Sequence, residues 1–325
     1  MTNNMTTSLI KLPLLALVAS GLSGSANPAA TTQQAEKRLR FIFITTCVDE
    51  DFFRPVQRGM RDAAALMNVE CTFTGTKAVD LKAQAEMVRQ AVKDRYDGIA
   101  LNIIDPLAFD EVVQEASTAG VPVVAFNVDD HATPNARLSA VCQRVYDAGK
   151  ILGKTCAAVM PEKSHVLMTM HAAGVSSLED RLRGEQEMLK AKGITWTVAI
   201  TGNTSAESEK VIAAELAKHP DIKFILCTGQ ADTEGAGLAI EKHFAGKGLS
   251  AAGFDLSPEI LRLVKAGHIR WTVDQQPYIQ GFYPVIQLTQ YRRYGIFPAN
   301  IDAGASLISA DQADRVLELS RQGYR

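Results

Sequence analysis

The sequence has no excess of basic charge: 34 Lys and Arg stand against 36 Asp and Glu, a net charge of −2. Nucleic-acid binders normally carry a basic surplus or a basic face, so that class is set aside. Paired cysteines are also missing. Cys47, Cys71, Cys142, Cys156 and Cys227 are odd in number, widely spaced and without a CxxC pair. This excludes a disulfide framework or a zinc site and, in an oxidising compartment, leaves at least one thiol of a monomer unpaired. No apolar run reaches the ~20 residues that a membrane span needs. There is no GxxxxGK[ST] phosphate loop, no GxSxG nucleophile elbow and no HxxxH or HxH ligand spacing. What remains is ordinary for a globular chain, 46% hydrophobic and 22% charged, with a length that suggests about two domains.

The N-terminus reads as a processing segment. Lys11 precedes an apolar run from Leu12 to Leu22, and Gly24-Ser25-Ala26 and Pro28-Ala29-Ala30 then supply the small residues a signal peptidase accepts. A signal peptide over residues 1–30 is expected, with export to the periplasm. No cysteine stands at the cleavage region, so no lipid anchor is expected.

From Phe41 onward the pattern alternates. Short β-branched or aromatic runs at Phe41–Ile44, Cys71–Thr74, Gly98–Leu101 and Val121–Phe126 are separated by stretches with apolar residues at helical spacing, such as Val56, Met60, Ala63, Ala64 and Met67. The rhythm restarts after about residue 142, with strands at His165–Thr169, Thr195–Ala199, Phe224–Cys227, Leu249–Phe254 and Ile269–Val273. Continuous apolar strands between helices predict parallel sheets covered on both faces. Two doubly wound α/β halves follow. The last helix, near Tyr278–Tyr294, is expected to cross back to the first half.

In open α/β sheets, ligands bind beyond the carboxyl ends of the strands. Here those ends carry Thr45-Thr46, Asn102, Asn127, Met170-His171, Thr228-Gly229-Gln230 and Asp255. Neutral hydrogen-bonding groups predominate, which suits a polar, uncharged ligand better than a phosphate. Gly235-Ala236-Gly237 imitates a dinucleotide fingerprint, but Ile240 replaces its third glycine and the glycines sit inside a helix; close packing explains them better. Lone histidines such as His131, His171 and His243 read as surface or loop residues. Cys47 has no visible paired base and reads as a buried small thiol.

Four segments carry a resemblance. Thr45–Phe53 followed by Gly59, Arg181-Leu182-Arg183-Gly184, Gly253-Phe254-Asp255 and Asp274–Gly281 occur in the order and spacing of one family. Over about Leu39–Ile308 the chain resembles the periplasmic sugar-binding proteins of ABC importers, of the ribose- and galactose-binding type. The resemblance implies a type I periplasmic-binding fold: two doubly wound parallel-sheet lobes joined by a three-strand hinge. It places the lobes at about 38–140 plus 277–302 and about 141–276 plus 303–325. It implies that Phe52 and Phe53 cover the apolar face of a sugar, that Arg181 and Gln275 bond its hydroxyls, and that Asp255 meets it at a strand end. With Thr46, Glu50, Asn102, Asn127 and Gln230 these complete the expected ligand contacts.

Departures from the ribose-binding pattern point away from ribose itself. Glu50-Asp51 stands where that pattern has Asn before the aromatic pair, Asn127-Val128 replaces Asp-Arg, and the polar segment Asn203–Ser205 replaces an aromatic residue. The implied function is hinge closure on a pentose, hexose or polyol and its delivery to an inner-membrane ABC permease, without catalysis, cofactor or metal. A monomer is expected. A sensor that signals to a chemoreceptor or receptor kinase shares the same pattern. A repressor of the lactose-repressor type would need a helix-turn-helix where the apolar leader lies.

Overall fold

The computed structural model describes residues 38–105, 107–129 and 135–325; the expected signal peptide lies outside them. The first half runs β1 (Arg40–Thr45), α1 (Phe53–Met67), β2 (Glu70–Gly75), α2 (Leu81–Lys93), β3 (Gly98–Leu101), α3 (Asp110–Thr118), β4 (Val123–Asn127) and β5 (Ser139–Cys142). The second runs α4 (Val145–Val159), β6 (His165–Met170), α5 (Ser176–Lys190), β7 (Thr195–Ile200), α6 (Ser205–Lys218), β8 (Phe224–Cys227), α7 (Gln230–His243), β9 (Ser250–Phe254), α8 (Pro258–Lys265) and β10 (Ile269–Asp274). Then come α9 (Pro277–Tyr294), β11 (Ile301–Asp302), β12 (Ser306–Ile308) and α10 (Ala310–Arg321).

The strands form two six-stranded sheets, ordered β11-β5-β4-β3-β1-β2 and β12-β10-β9-β8-β6-β7. Each is the core of one α/β lobe. In both, the chain winds outward from its first strand and then reverses, so the switch points fall between β1 and β3 and between β6 and β8. Three segments pass between the lobes: residues 143–144 after β5, 275–276 after β10 and 303–305 after β11. Pairing is parallel except for β12 against β10. The three-residue link from β11 explains this exception: it enters the second sheet from the cleft side, and parallel pairing would need a long crossover.

Helix α9 packs on α1 and against β4 and β5, in the first lobe. The two helices touch through glycine. A Cβ on Gly281 would stand 1.8 Å from the Val56 carbonyl oxygen, and one on Gly59 would stand 2.0 Å from that of Tyr278. The second lobe repeats this device between α4 and α5: Gly149 faces the Arg181 carbonyl and Gly184 that of Tyr146. The Gly235 and Gly237 positions are likewise packed, against Ser208 and against Leu263 and Ile269, as the close-packing reading requires. Strands β5, β11 and β12 carry no sequence signal strong enough to be read: the first is Ser-Ala-Val-Cys, with one β-branched residue, and the other two are two and three residues long. Helix α10, twelve residues opened by a Ser309–Gln312 capping box, does carry such a signal but was not anticipated.

Candidate functional site

A cavity of about 1220 Å³ opens where the strand ends of the two lobes face each other. All ten expected contacts line it: Thr46, Glu50, Phe52, Phe53, Asn102, Asn127, Arg181, Gln230, Asp255 and Gln275. They come from both switch points, from the neighbouring strand ends of β4 and β9, and from one crossing segment. The lobes also meet beside the cavity. The Ser176 amide donates to the Ile104 carbonyl at 3.1 Å, and Ile104 and Val128 share an apolar cluster with Val175 and Leu178.

Phe52 and Phe53 cap the start of α1 and pack edge to face, 5.2 Å between centroids. Phe53 also leans on Phe73 at 5.7 Å, and both rings belong to the first lobe's core. They are cavity wall and core together. Thr46 donates its hydroxyl to the Ala78 carbonyl at 3.0 Å, so it holds the β1 loop as well as lining the cleft. Gln230 begins α7, a turn earlier than apolar spacing suggests, because Asp232 caps that helix.

Arg181 is buried, not a solvated helix charge. Its Nη1 donates to the Thr228 carbonyl and its Nη2 to Gln143 Oε1, each at 2.8 Å. Its plane lies 4.2 Å over the Phe254 ring, and its Nε has no protein partner. It ties the first crossing segment to the end of β8. Asp255 is not the cap of α8, a role Ser257 fills. It sits at φ +78° and accepts from Gln275 Nε2 at 2.6 Å. Asn127, at the matching strand end of the other lobe, has φ +64°. Asp and Asn are among the few side chains that tolerate this left-handed backbone. Burial raises the Asp255 carboxyl above its usual range, partly offset by Arg181.

Two residues were not anticipated. His171, read as a surface or loop residue, does lie in the loop after β6, but it is mostly buried between carboxylates of different lobes: Nδ1 lies 3.6 Å from Asp232 Oδ1 and Nε2 lies 4.0 Å from Glu50 Oε1. Burial lowers its affinity for a proton, but Asp232, Glu50 and Asp255 outweigh this and raise its pKa. Asp232 is fully buried and accepts from Thr169 Oγ1, Thr228 N and Gly229 N. A lone histidine or aspartate leaves no mark in spacing; only the approach of β6, α7 and the β1 loop makes these residues a group. Glu50 is itself raised by burial, partly offset by His171. The Cys47 thiol is pushed up to about 11 by burial and by Glu50, which suits an inert thiol. All five cysteines are free. Among the described residues no cluster could hold a metal ion and no helix is long and apolar enough to cross a membrane.

Behind the site, Glu185 on α5 is fully buried and neither carboxyl oxygen has a hydrogen-bond partner. Burial, with a smaller push from Asp232, holds its pKa well above the usual value. A carboxyl raised on folding contributes its full stability below the unfolded pKa, about 4.3, and loses it as pH rises through the folded pKa. Glu185→Gln cannot ionise. Its melting temperature relative to wild type is therefore expected to rise as the pH is raised above about 4.5 in a thermal-shift series, and to level off once the wild-type carboxyl ionises in the folded state. A difference that stays flat between about pH 4.5 and pH 8 contradicts the assignment.

The geometry has counterparts in known proteins. The family described as periplasmic binding protein domain matches residues 41–293. The xylose/arabinose-binding protein of Sulfolobus acidocaldarius is 29% identical over 299 residues, 87% of this chain and 74% of that protein. The D-ribose/D-allose-binding protein of Pseudomonas aeruginosa is 23% identical over 273 residues, 81% of this chain and 85% of that protein. A crystal structure of a carbohydrate transporter from Acidothermus cellulolyticus, in complex with myo-inositol, is similar with a TM-score of 0.80 and 27% identity, over 89% of this chain and all of that one. Two α/β lobes, three crossings, a cleft at paired switch points and a family match across most of both lobes lead to one conclusion: this chain belongs to the periplasmic binding protein domain family.

Proposed function

We propose that the chain is the solute-binding component of an ABC importer, which captures a monosaccharide or polyol in the interlobe cleft and presents it to an inner-membrane permease from the periplasm. The observation that carries this reading is the composition of the cavity wall. Two aromatic rings stand beside a set of amides and carboxylates drawn from both lobes. A sugar has apolar C–H faces and a rim of hydroxyls that both donate and accept, and this wall matches both. The names of the relatives support the same class of ligand. Because the contacts come from both lobes, a ligand that touches all of them stabilises the closed arrangement over the open one.

A thermal-shift screen of pentoses, hexoses and polyols tests the proposal. A ligand at 100 times its Kd adds about 2.7 kcal/mol to the folded state. A panel in which nothing raises the melting temperature rejects it.

The charges of the site predict what the screen excludes. Glu50 and Asp255 line the inner cavity with Asp232 buried behind His171, against Arg181 and His171. Two like charges about 5 Å apart repel by about 3 kcal/mol at an effective dielectric constant of ~20. Hexuronates are expected to bind at least ~100-fold more weakly than their neutral parent hexoses. Equal thermal shifts for glucose and glucuronate would contradict this.

A further inference from the structure

Gln280, in the first turn of α9, is fully buried and does not line the cavity. It nevertheless joins side chains that do. Asn102 Nδ2 donates to Asn127 Oδ1 at 2.7 Å, and Asn127 Nδ2 donates to Gln280 Oε1 at 3.1 Å. Gln280 Nε2 donates to Gln275 Oε1 at 3.2 Å, and Gln275 Nε2 donates to Asp255 Oδ1 at 2.6 Å. The relay begins at a strand end of the first lobe, passes through α9 and the second crossing segment, and finishes at a strand end of the second lobe.

An amide has a donor end and an acceptor end, and only its partners decide which way it faces. Two anchors decide it here. An ionised Asp255 only accepts, so Gln275 must turn its nitrogen to it. The Gln275 backbone carbonyl also only accepts, and Gln280 Nε2 donates to it at 2.7 Å. Gln280 is therefore held with its oxygen toward Asn127. Each earlier amide follows in turn, and the relay ends with Asn102 Oδ1, a buried acceptor without a protein partner on a residue that lines the cavity. The site thus presents an acceptor at that point, where a free amide could equally present a donor.

We infer that Gln280 is a positioning residue that sets the specificity of the cleft, by fixing the amides of Asn127 and Asn102 so that the ligand must donate a hydrogen bond to Asn102 Oδ1. This rests on the proposal that the cleft holds a polyhydroxylated ligand. The relay narrows that ligand's class: it carries, opposite Asn102, a hydroxyl that is required as a donor.

Fluorine in place of a hydroxyl can accept weakly but cannot donate, so it separates the two roles. The probe is the tightest binder among D-xylose, D-ribose, D-arabinose, D-glucose, D-galactose and myo-inositol, with its monodeoxy and monofluoro-deoxy derivatives, titrated by calorimetry. In wild type, one ring position is expected at which fluoro and deoxy derivatives both lose about 10-fold or more, and equally, about 1.4 kcal/mol each. Gln280→Met keeps the side-chain length but removes both ends of the relay, so Asn102 is free to turn its nitrogen inward. The fluoro derivative should then regain about 5-fold over the deoxy derivative at that position, while other positions keep their ratios. Gln280→Glu, titrated at a pH where it is protonated, keeps one donor for the Gln275 carbonyl and the acceptor for Asn127, and should keep the wild-type ratio of fluoro to deoxy derivative. A purely packing role for Gln280 would shift all derivatives alike. A Met variant that melts within a few degrees of wild type and keeps the wild-type pattern overturns the inference. If that variant does not fold, a wild type with no position where fluoro equals deoxy overturns it equally. If no member of the panel binds, the proposed function falls and this inference with it; a binder with an unchanged pattern removes this inference alone.

Discussion

Asp255→Ala is expected to weaken binding of the preferred sugar by about 30- to 1000-fold, or about 2–4 kcal/mol, in a calorimetric titration. The carboxylate ends β9 at the cavity, accepts from Gln275 and faces the cleft beside Arg181. On the proposed function, its removal leaves a sugar hydroxyl without an acceptor, and it leaves Gln275 without the carboxyl to which it donates. The backbone adds a second effect. At φ +78° alanine is strained by about 1–2 kcal/mol, so this variant should also melt earlier than wild type. Asp255→Asn tolerates that backbone and separates the two effects: near-wild-type melting with an altered rank order of epimers. Unchanged affinity in Asp255→Ala would remove Asp255 from the site. Phe53→Ala is a less clean comparison. Its ring is packed against Phe73 in the core as well as facing the cavity, so truncation should cost about 3–5 kcal/mol of stability along with the stacking area.

Gly281→Ala is expected to be the most damaging small substitution in the first lobe. The new methyl carbon would meet the Val56 carbonyl oxygen at 1.8 Å, the Val56 carbonyl carbon at 2.7 Å and the Met60 nitrogen at 2.9 Å. These are backbone atoms of α1, so no side-chain rotation relieves the overlap and the helices must part. A loss of about 3 kcal/mol or more follows, at the upper end of overpacking effects. In a chain this long that lowers the melting temperature by about 5 °C or more. Gly120→Ala is the control: a Cβ there meets nothing within 4 Å, and only its φ of +76° opposes the change. Comparable losses for both would show that backbone conformation, not helix approach, governs the cost at Gly281.

The sequence determined the alternation of strand and helix, and with it the class of fold, because buried parallel strands are continuously apolar and surface helices repeat every three to four residues. Phe224–Cys227 shows how direct that signal is: the strand has the residues the apolar run marks. Strand ends were legible too, so Asn102, Asn127 and Asp255 could be named before their neighbours were known. The glycines of three of the four resemblance segments also have a local cause, since Gly59, Gly184 and Gly281 all stand where two helices touch; the fourth, Gly253, lies in β9 against Thr233. What sequence could not supply was direction and company. Nothing in the spacing of Glu50, His171 and Asp232 joins them; β6, α7 and the β1 loop do, by bringing carboxylates of two lobes around one imidazole. Nothing in Gln280 distinguishes it from a solvated helix glutamine until α9 folds back on the first lobe and buries it between Asn127 and Gln275. Apolar periodicity is written along the chain because water enforces it residue by residue. The orientation of the Asn127 amide is set by Gln280, 153 residues away along the chain, and only the tertiary structure brings the two within 3.1 Å.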